Sequence, residues 1–496
     1  MLALLTLCLL ACGRGSQPPR NNQGLSCADM LSVGGFSWSR RGCREAVLSW
    51  GSRLGAFDTK LRRGECVTIA AFGGSNSVGA SLGTAFDNRY PLWLRNLACN
   101  DGERQHFEHQ QIKQGVDCMA RAWPGVLLAA IDTIYPNCST RAGHELYNFA
   151  ARARGITYAA SQTHLWSRNA SHPLWKADLV VGEFDVNDLA AMDDAPDGTG
   201  AANIAQWTEL FVRTFVRRPL PIPVILLEMS WRHWTSRNGS DDRLNTPALF
   251  RVHVARAYSV PYLSLRAALL GGPTSTRTAL TTRQSEALFG SRSNVHANHY
   301  GQALAGSLVA TFSTQATPFQ RDARPSYTHA VTAKAPMWAN RTIVEAFERS
   351  NATGATFDFT SPGLRAKTVF NAVQGWSRRE DVHGKFGLVP TAPNAHLSLT
   401  VSEPLTLIEI EYLRSYGTAG SVDATYELIP TNRPPLYLAK RHLPAAWRSH
   451  TSVCEIDIYT VPASVTALLR GAAAKMRVNL TLVAVGKWKL CALFLV

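Results

Sequence analysis

The chain has 496 residues, more than one hydrophobic core ordinarily supports, so its length favours two domains. Hydrophobic residues make up 46% and charged residues 18% of it, which excludes wholesale disorder. The formal net charge is +15, but no run of five basic residues occurs, so we expect no nucleic-acid partner and favour attraction to acidic surfaces such as polyanionic polysaccharide.

The N-terminus has the pattern of a targeting segment. Residues 2–11 form an uncharged apolar run that suits the core of a signal peptide and is too short to span a bilayer. We therefore expect residues 1–15 to be a signal peptide, with a lipoprotein cleavage site at Cys12 as the alternative. The mature protein is therefore expected to be secreted or at the cell surface, without a stable membrane span.

The cysteines and glycosylation signals agree with secretion. Eight cysteines remain after the leader, an even number that suits disulfides, and Cys454 and Cys491 are the easiest pair to propose. No CxxC spacing occurs, so we expect no structural zinc site. Six Asn-x-Ser/Thr acceptors make a glycoprotein plausible: Asn137, Asn169, Asn238, Asn340, Asn351 and Asn479.

Residues 16–60 contain turn formers and two cysteines, and we expect an irregular, disulfide-containing lead-in. Short apolar runs and helical patterns then alternate over residues 61–315, which predicts a parallel sheet covered by helices on both faces. The predicted strands lie at residues 66–72, 177–184, 223–229 and 260–265. The predicted helices lie at residues 204–215, 247–258 and 301–312.

The pattern changes to period two after about residue 337. Ile408, Ile410 and Tyr412 alternate with Glu409 and Glu411, and residues 476–482 alternate in the same way. Such alternation predicts strands with one buried and one solvated face. We therefore expect an antiparallel β-sandwich-like domain over residues 337–496, with the glutamates on the solvated face.

Candidate catalytic residues lie where the first predicted strand ends. Gly73-Gly74-Ser75-Asn76 follows that strand directly, so Ser75 is placed at the active-site edge of the sheet and near the next helix. Its backbone N–H can help bind an oxyanion. The GxxxxGK[ST] spacing of a phosphate loop is absent. Ser75 is therefore the candidate nucleophile.

Three further blocks follow along the chain. Gly155 can offer an unobstructed backbone N–H, and Asn187, at the end of the second predicted strand, can donate its amide. Asp188 is expected to brace that loop. His296 precedes the last predicted helix and is the candidate base, with His299 as its competitor.

In this order the four blocks resemble those of the SGNH hydrolases, the GDSL-like esterase superfamily. The resemblance covers about residues 60–315 and implies a three-layer, flavodoxin-like α/β domain. It implies that Ser75 attacks an ester carbonyl, His296 takes its proton, and Ser75, Gly155 and Asn187 hold the oxyanion. Residues 412–416 look like part of the C-terminal sandwich of some secreted algal and plant members.

The chain departs from the family at the acid. The family has Asp three residues before the catalytic His, and this chain has Ser293 there. A Ser–His dyad, an acid from another segment and a weakened site all stay open; loss of the orienting Asp costs about 10⁴ in kcat in serine proteases.

We therefore expect a secreted serine esterase that hydrolyses O-acyl esters, chiefly acetyl esters, with acetylated carbohydrate as the expected substrate. No metal or organic cofactor is implied. The alternatives are a catalytically impaired SGNH-fold glycoprotein that acts as a binding module, and an O-acyltransferase that uses the same residues.

Overall fold

The structure is a computed structural model. It describes residues 32–33, 36–37, 46–51, 54–79, 82, 105–107, 119–136, 138, 143–166, 169–188, 199–229, 247–270, 288, 296–314, 355–359, 369–382, 385–414, 420–446 and 453–495. The signal-peptide prediction, Cys27, Cys43, Cys99 and Cys118, Ser293, and the acceptors Asn137, Asn238, Asn340 and Asn351 lie outside these residues.

The N-terminal half is built on a seven-stranded sheet. After a short hairpin of β1 (Ser32–Val33) and β2 (Phe36–Ser37), its strands are β3 (Val47–Ser49), β4 (Thr68–Gly73), β5 (Gln105–Phe107), β6 (Glu145–Asn148), β7 (Leu179–Glu183), β8 (Val224–Glu228) and β9 (Tyr262–Ser264). They lie in the order β3-β9-β8-β7-β4-β6-β5 and are parallel apart from β3. Without β3 and β5, this is the 2-1-3-4-5 order of flavodoxin-like folds.

Helices cover both faces of this sheet. They are α1 (Gly55–Arg62), α2 (Ser75–Val78), α3 (Trp123–Ile134), α4 (Ile156–Trp166), α5 (Thr199–Val216), α6 (Pro247–Ala257), α7 (Leu265–Leu270) and α8 (His299–Thr314). Apolar side chains of α1, α3, α7 and α8 form one core with the sheet, and those of α4, α5 and α6 form a second. The predicted three-layer α/β fold is therefore confirmed.

The local predictions match well where the apolar pattern is strong. The four predicted strands correspond to β4, β7, β8 and β9, and the three predicted helices correspond to α5, α6 and α8. The lead-in differs from its prediction, because β3 pairs with β9 at the sheet edge and α1 begins at Gly55. A strand of three residues is too short to show an alternating pattern in the sequence. The sequence therefore could not predict that β3 pairs with β9.

The C-terminal half is a sandwich of two antiparallel sheets, as predicted. Its strands are β10 (Ala355–Asp358), β11 (Ala372–Gln374), β12 (Trp376–Val382), β13 (Lys385–Pro390), β14 (His396–Val401), β15 (Leu407–Arg414), β16 (Ser421–Pro430), β17 (Leu436–Pro444), β18 (Val453–Thr460), β19 (Ala474–Ala484) and β20 (Lys489–Leu495), with α9 (Ala463–Arg470) before β19. The inner sheet has the order β12-β13-β20-β15-β18, with β10 on β20, and the outer sheet has β11-β14-β19-β16-β17. One apolar core lies between them.

The solvated face predicted for β15 is wrong. Glu409 and Glu411 are 0% exposed, since the face that carries them packs against the α/β half. Ser161 of α4 donates a hydrogen bond to Glu409 Oε2 at 2.7 Å, and Tyr158 of the same helix packs against Phe494 of β20. In β19, by contrast, the predicted alternation is confirmed, because buried residues alternate with partly or fully exposed ones along most of the strand.

Two cysteine pairs lie within the described residues. Cys66, just before β4, forms a disulfide with Cys138, which follows α3. Cys454 of β18 and Cys491 of β20 are two buried thiols whose sulfur atoms lie 2.7 Å apart, so the structure brings the proposed pair together without a bond. No helix in the described stretches is long and apolar enough to cross a membrane.

Candidate active site

Ser75 lies at the carboxyl end of β4, as the first residue of the short helix α2. The next two strands in the chain, β5 and β6, lie on one side of β4, and β7 lies on its other side. This is a topological switch point, where open α/β sheets form ligand-binding crevices. The position of Ser75 at such an edge suits a nucleophile.

Gly74 leaves room for the Asn187 side chain to approach the backbone next to Ser75. A Cβ atom at Gly74 would lie 2.2 Å from Nδ2 of Asn187, and one at Gly73 would lie 2.0 Å from Oγ of Ser77. Side chains at either position would collide with these groups. Gly74 therefore lets the Asn187 amide lie directly beside the backbone that leads into Ser75, and Gly73 leaves room for the Ser77 hydroxyl.

His296 is in contact with Ser75. Its Nε2 atom lies 2.7 Å from Oγ of Ser75, within the range for proton transfer between a base and a nucleophile. The backbone N–H of Ala297 donates to Oδ1 of Asn76 at 3.1 Å, which ties the histidine loop to the helix of the nucleophile. Gln302 of α8 adds a second tie, since its Nε2 donates to the Asn76 carbonyl at 3.1 Å.

The competing histidine has a different environment. His299 begins α8 and is 5% exposed. Burial, and to a smaller extent the charge of Arg121, lowers the pKa of His299 to about 4. The structure therefore makes His299 a neutral buried group and places His296 against the serine.

The two candidate oxyanion donors lie next to each other. Nδ2 of Asn187 donates to the Arg154 carbonyl at 2.6 Å, directly before Gly155. A primary amide carries two N–H groups, so the second can still serve an oxyanion. Oδ1 of Asp188 accepts from the Ile156 N–H at 3.0 Å and would lie 2.1 Å from a Cβ at Gly155. Asp188 thus braces the loop that contains Gly155 as well as its own loop, which carries Asn187.

Arg251 holds this arrangement from α6. It is buried and forms ion pairs with Asp185 and Asp188, on either side of Asn187. Oδ2 of Asp185 also accepts from the Met229 N–H at 2.8 Å. Sequence reasoning missed Arg251, since nothing local to α6 distinguishes it from a surface arginine.

A buried carboxyl group lies under α2, the helix that begins with Ser75. Ser77 donates its hydroxyl to Glu183 Oε2 at 3.0 Å, and Trp123 Nε1 donates to Ser77 Oγ at 2.9 Å. Burial, with the nearby charge of Asp185, raises the pKa of Glu183 to about 8. Glu183 is therefore protonated at neutral pH and adds no negative charge under Ser75.

The described residues contain no cluster of three or more His, Cys, Asp or Glu side chains that could hold a metal ion. The chemistry that the described side chains can perform is proton transfer between Ser75 and His296 beside amide donors. Such a set suits attack on a carbonyl carbon.

No family model matches the sequence, and no curated protein matches it either. Among solved structures, the chain is similar to a two-domain esterase active on acetylated mannans, at 14% identity and a TM-score of 0.48, over 91% of this chain and 98% of that one. It is also similar to an acetylxylan esterase from Geobacillus stearothermophilus, at 12% identity and a TM-score of 0.31, over 49% of this chain and 93% of that one. A carbohydrate acetylesterase family member from Sinorhizobium meliloti matches at 13% identity and a TM-score of 0.29, over 49% of this chain and 95% of that one.

Two of these neighbours are esterases, and the third is a carbohydrate acetylesterase family member. At such low identity, the roles of individual residues rest on this chain's own geometry.

Proposed function

We propose that the protein is a serine esterase of the SGNH type. The single observation that carries the proposal is the 2.7 Å contact between Nε2 of His296 and Oγ of Ser75, at a strand end beside the Asn187 amide. This contact favours a catalytic site over a binding module that retains only the fold.

The proposed reaction has two steps. Ser75 Oγ attacks the ester carbonyl while His296 Nε2 takes its proton, and the protonated histidine then gives that proton to the leaving alcohol. An acyl group remains on Ser75. His296 next removes a proton from water, which attacks the acyl-enzyme. The protonated histidine then returns that proton to Ser75 Oγ as the carboxylic acid leaves, and the free serine and the neutral histidine are restored.

The oxyanion that forms in each step is held by amide donors. We assign these to the backbone N–H groups of Ser75 and Gly155 and to the free N–H of the Asn187 side chain. Asp188 supports the last two, since it accepts from the Ile156 N–H and pairs with Arg251. Such donors stabilise the transition state more than the neutral ester.

The test is hydrolysis of p-nitrophenyl acetate by wild type and by Ser75→Ala. We expect the variant to lose about 10³-fold or more in kcat/KM, and a fluorophosphonate probe to label only wild type. Ser402→Ala, an exposed serine in the sandwich, is the matched control and should keep full activity. Equal rates for wild type and Ser75→Ala would reject the proposal.

We further propose O-acetylated carbohydrate as the substrate class. A net charge of +15 supports contact with acidic polysaccharide. Acetylated mannan and xylan are suitable test polymers, because esterases for them are among the similar structures. Acetate release identifies hydrolysis, whereas transfer of the acetyl group to an added sugar in preference to water would identify an acyltransferase.

We also propose that the protein is secreted. The Cys66–Cys138 disulfide supports an oxidising compartment, as does the apolar N-terminal segment. Expression of the full chain in a eukaryotic host should deliver it to the medium with an N-terminus near residue 16. Retention in the cytosol with an intact Met1 would contradict this.

A further inference from the structure

Arg154 joins the candidate oxyanion loop to the C-terminal sandwich. Its side chain is 2% exposed, and it forms an ion pair with Glu411 of β15. Oδ1 of Asp358, in β10, lies 3.4 Å from Nη2 of Arg154. A buried charge is costly without partners, so both carboxylates on the sandwich are needed for Arg154 to stay in this position.

The ring of Tyr158 completes the setting of Arg154. The guanidinium lies over this ring at 4.1 Å from its centroid, and the Tyr158 hydroxyl donates to Oδ2 of Asp358 at 3.4 Å. The guanidinium is thus held by an aromatic face from α4 and by carboxylates from two strands of the inner sheet. These contacts leave it little freedom to move.

The backbone around Arg154 is held from both sides. The carbonyl of Arg154 accepts from Asn187 in the candidate site, while the carbonyl of Ala153 accepts from the Cys454 N–H of β18 at 3.0 Å. Ala153 has a φ of 60°, in the left-handed region. A non-glycine residue is strained there and persists only when its surroundings impose this conformation. The sandwich supplies part of those surroundings.

We propose that Glu411 and Asp358 are positioning residues for the oxyanion hole, and that they act through Arg154. On this proposal the docked sandwich fixes residues 153–155, and these in turn fix the Gly155 N–H and orient the Asn187 amide. The sandwich is then part of the catalytic apparatus and more than an attached module. The inference rests on the esterase function proposed above.

The kinetic test compares Glu411→Gln with wild type on p-nitrophenyl acetate. A donor displaced by about 1 Å can cost about 10²-fold in rate, so we expect kcat to fall between 10- and 100-fold while KM changes little. Affinity for a boronic acid, which forms a tetrahedral adduct with serine, should fall in parallel. Glu427→Gln is the matched control, because Glu427 pairs with Arg477 in the outer sheet, away from the interface.

A double variant separates positioning from folding. Arg154→Met with Glu411→Gln removes both charges of the Arg154–Glu411 pair. The carboxylate that remains, Asp358, is 12% exposed and still accepts from the Tyr158 hydroxyl, so the interface can stay folded. We expect it to melt closer to wild type than Glu411→Gln does, yet to keep the low kcat. Arg154→Lys retains the charge without the planar fork of the guanidinium, so its kcat should lie between those of wild type and the double variant.

Hydrogen exchange gives a readout that needs no activity. Amides of residues 151–158 should exchange faster in Glu411→Gln than in wild type or Glu427→Gln. If Glu411→Gln does not fold, Asp358→Asn takes its place in these measurements. It is the milder change because the Asp358 side chain is 12% exposed. Unchanged kcat and unchanged exchange in the folded variants would overturn the positioning role. An inactive wild type would reject the esterase function instead, and the exchange measurement would still decide whether the sandwich holds the loop.

Discussion

At the level of single residues, the candidate site depends on a few buried polar groups with assigned partners. Asn187 is 5% exposed and uses one amide N–H for the Arg154 carbonyl. Asp188 accepts from the Ile156 N–H and pairs with Arg251. Each of these bonds restricts the Asn187 side chain or the backbone next to Gly155. The proposed oxyanion donors are therefore oriented before any substrate arrives, which is the condition for effective oxyanion stabilisation.

Replacing Asn187 by alanine tests this orientation. We expect Asn187→Ala to lower kcat by about 10²–10³-fold with a small change in KM, because the lost donor serves mainly the transition state. Steady-state kinetics on p-nitrophenyl acetate measure both constants. Asn203→Ala, an exposed position on α5, is the control. An unchanged kcat in folded Asn187→Ala would remove Asn187 from the oxyanion hole.

At the level of elements, the nucleophile helix α2 has four residues, too few to be stable alone. It is held by its neighbours: Asn148 Nδ2 donates to the Ser77 carbonyl at 3.0 Å, and Gln302 donates to the Asn76 carbonyl. The strand before it is anchored near Cys66, whose disulfide to Cys138 spans 72 residues. The bridge closes the segment that contains β4, α2, β5 and α3.

Removing this disulfide should destabilise the α/β half. Loop-closure entropy predicts a loss of about 2–5 kcal/mol for Cys66→Ser with Cys138→Ser. Urea denaturation of the double variant and wild type measures the difference. A non-reducing peptide map should recover residues 66 and 138 in one linked fragment of wild type. Separate fragments, or equal unfolding midpoints, would contradict the prediction.

At the level of the whole molecule, the interface between the two halves buries polar groups that a free sandwich would expose to solvent. Glu409 is 0% exposed and accepts a hydrogen bond from Ser161. Burial raises the pKa of Glu409 to about 8. Because this folded pKa lies above its ordinary value, the resulting stabilisation is full below about pH 4.5 and is lost as the pH rises through about 8.

Replacing Glu409 by glutamine should change the pH dependence of the free energy of unfolding. Glutamine cannot ionise, so Glu409→Gln should lose less stability than wild type between about pH 6 and about pH 9. Urea denaturation at the two pH values gives the comparison. Glu427→Gln, half-buried in the outer sheet, should follow wild type. Parallel curves for Glu409→Gln and wild type would show that Glu409 ionises freely in the folded state.

Much of the fold could be predicted from the sequence, because its signals are local. A buried strand is recognised from its own apolar run, so a few residues each are enough to predict β4, β7 and β8. The glycine pair that follows β4 marks a tight turn, and this turn predicts the position of Ser75. The same holds for the order of Ser75, Gly155, Asn187 and His296 along the chain. The disposition of these four residues around one strand end follows from the parallel sheet.

The contacts between distant segments were decided only by the tertiary structure. Arg251 lies 63 residues from Asp188, Ser161 lies 248 residues from Glu409, and no periodicity in either segment refers to the other. Alternation in β15 marked Glu409 and Glu411 as solvated, since a sequence shows which residues share a face but not what covers that face. The sequence by itself determined the two folds and the candidate nucleophile. Packing of one half on the other decided which charges are buried and what holds residues 153–155.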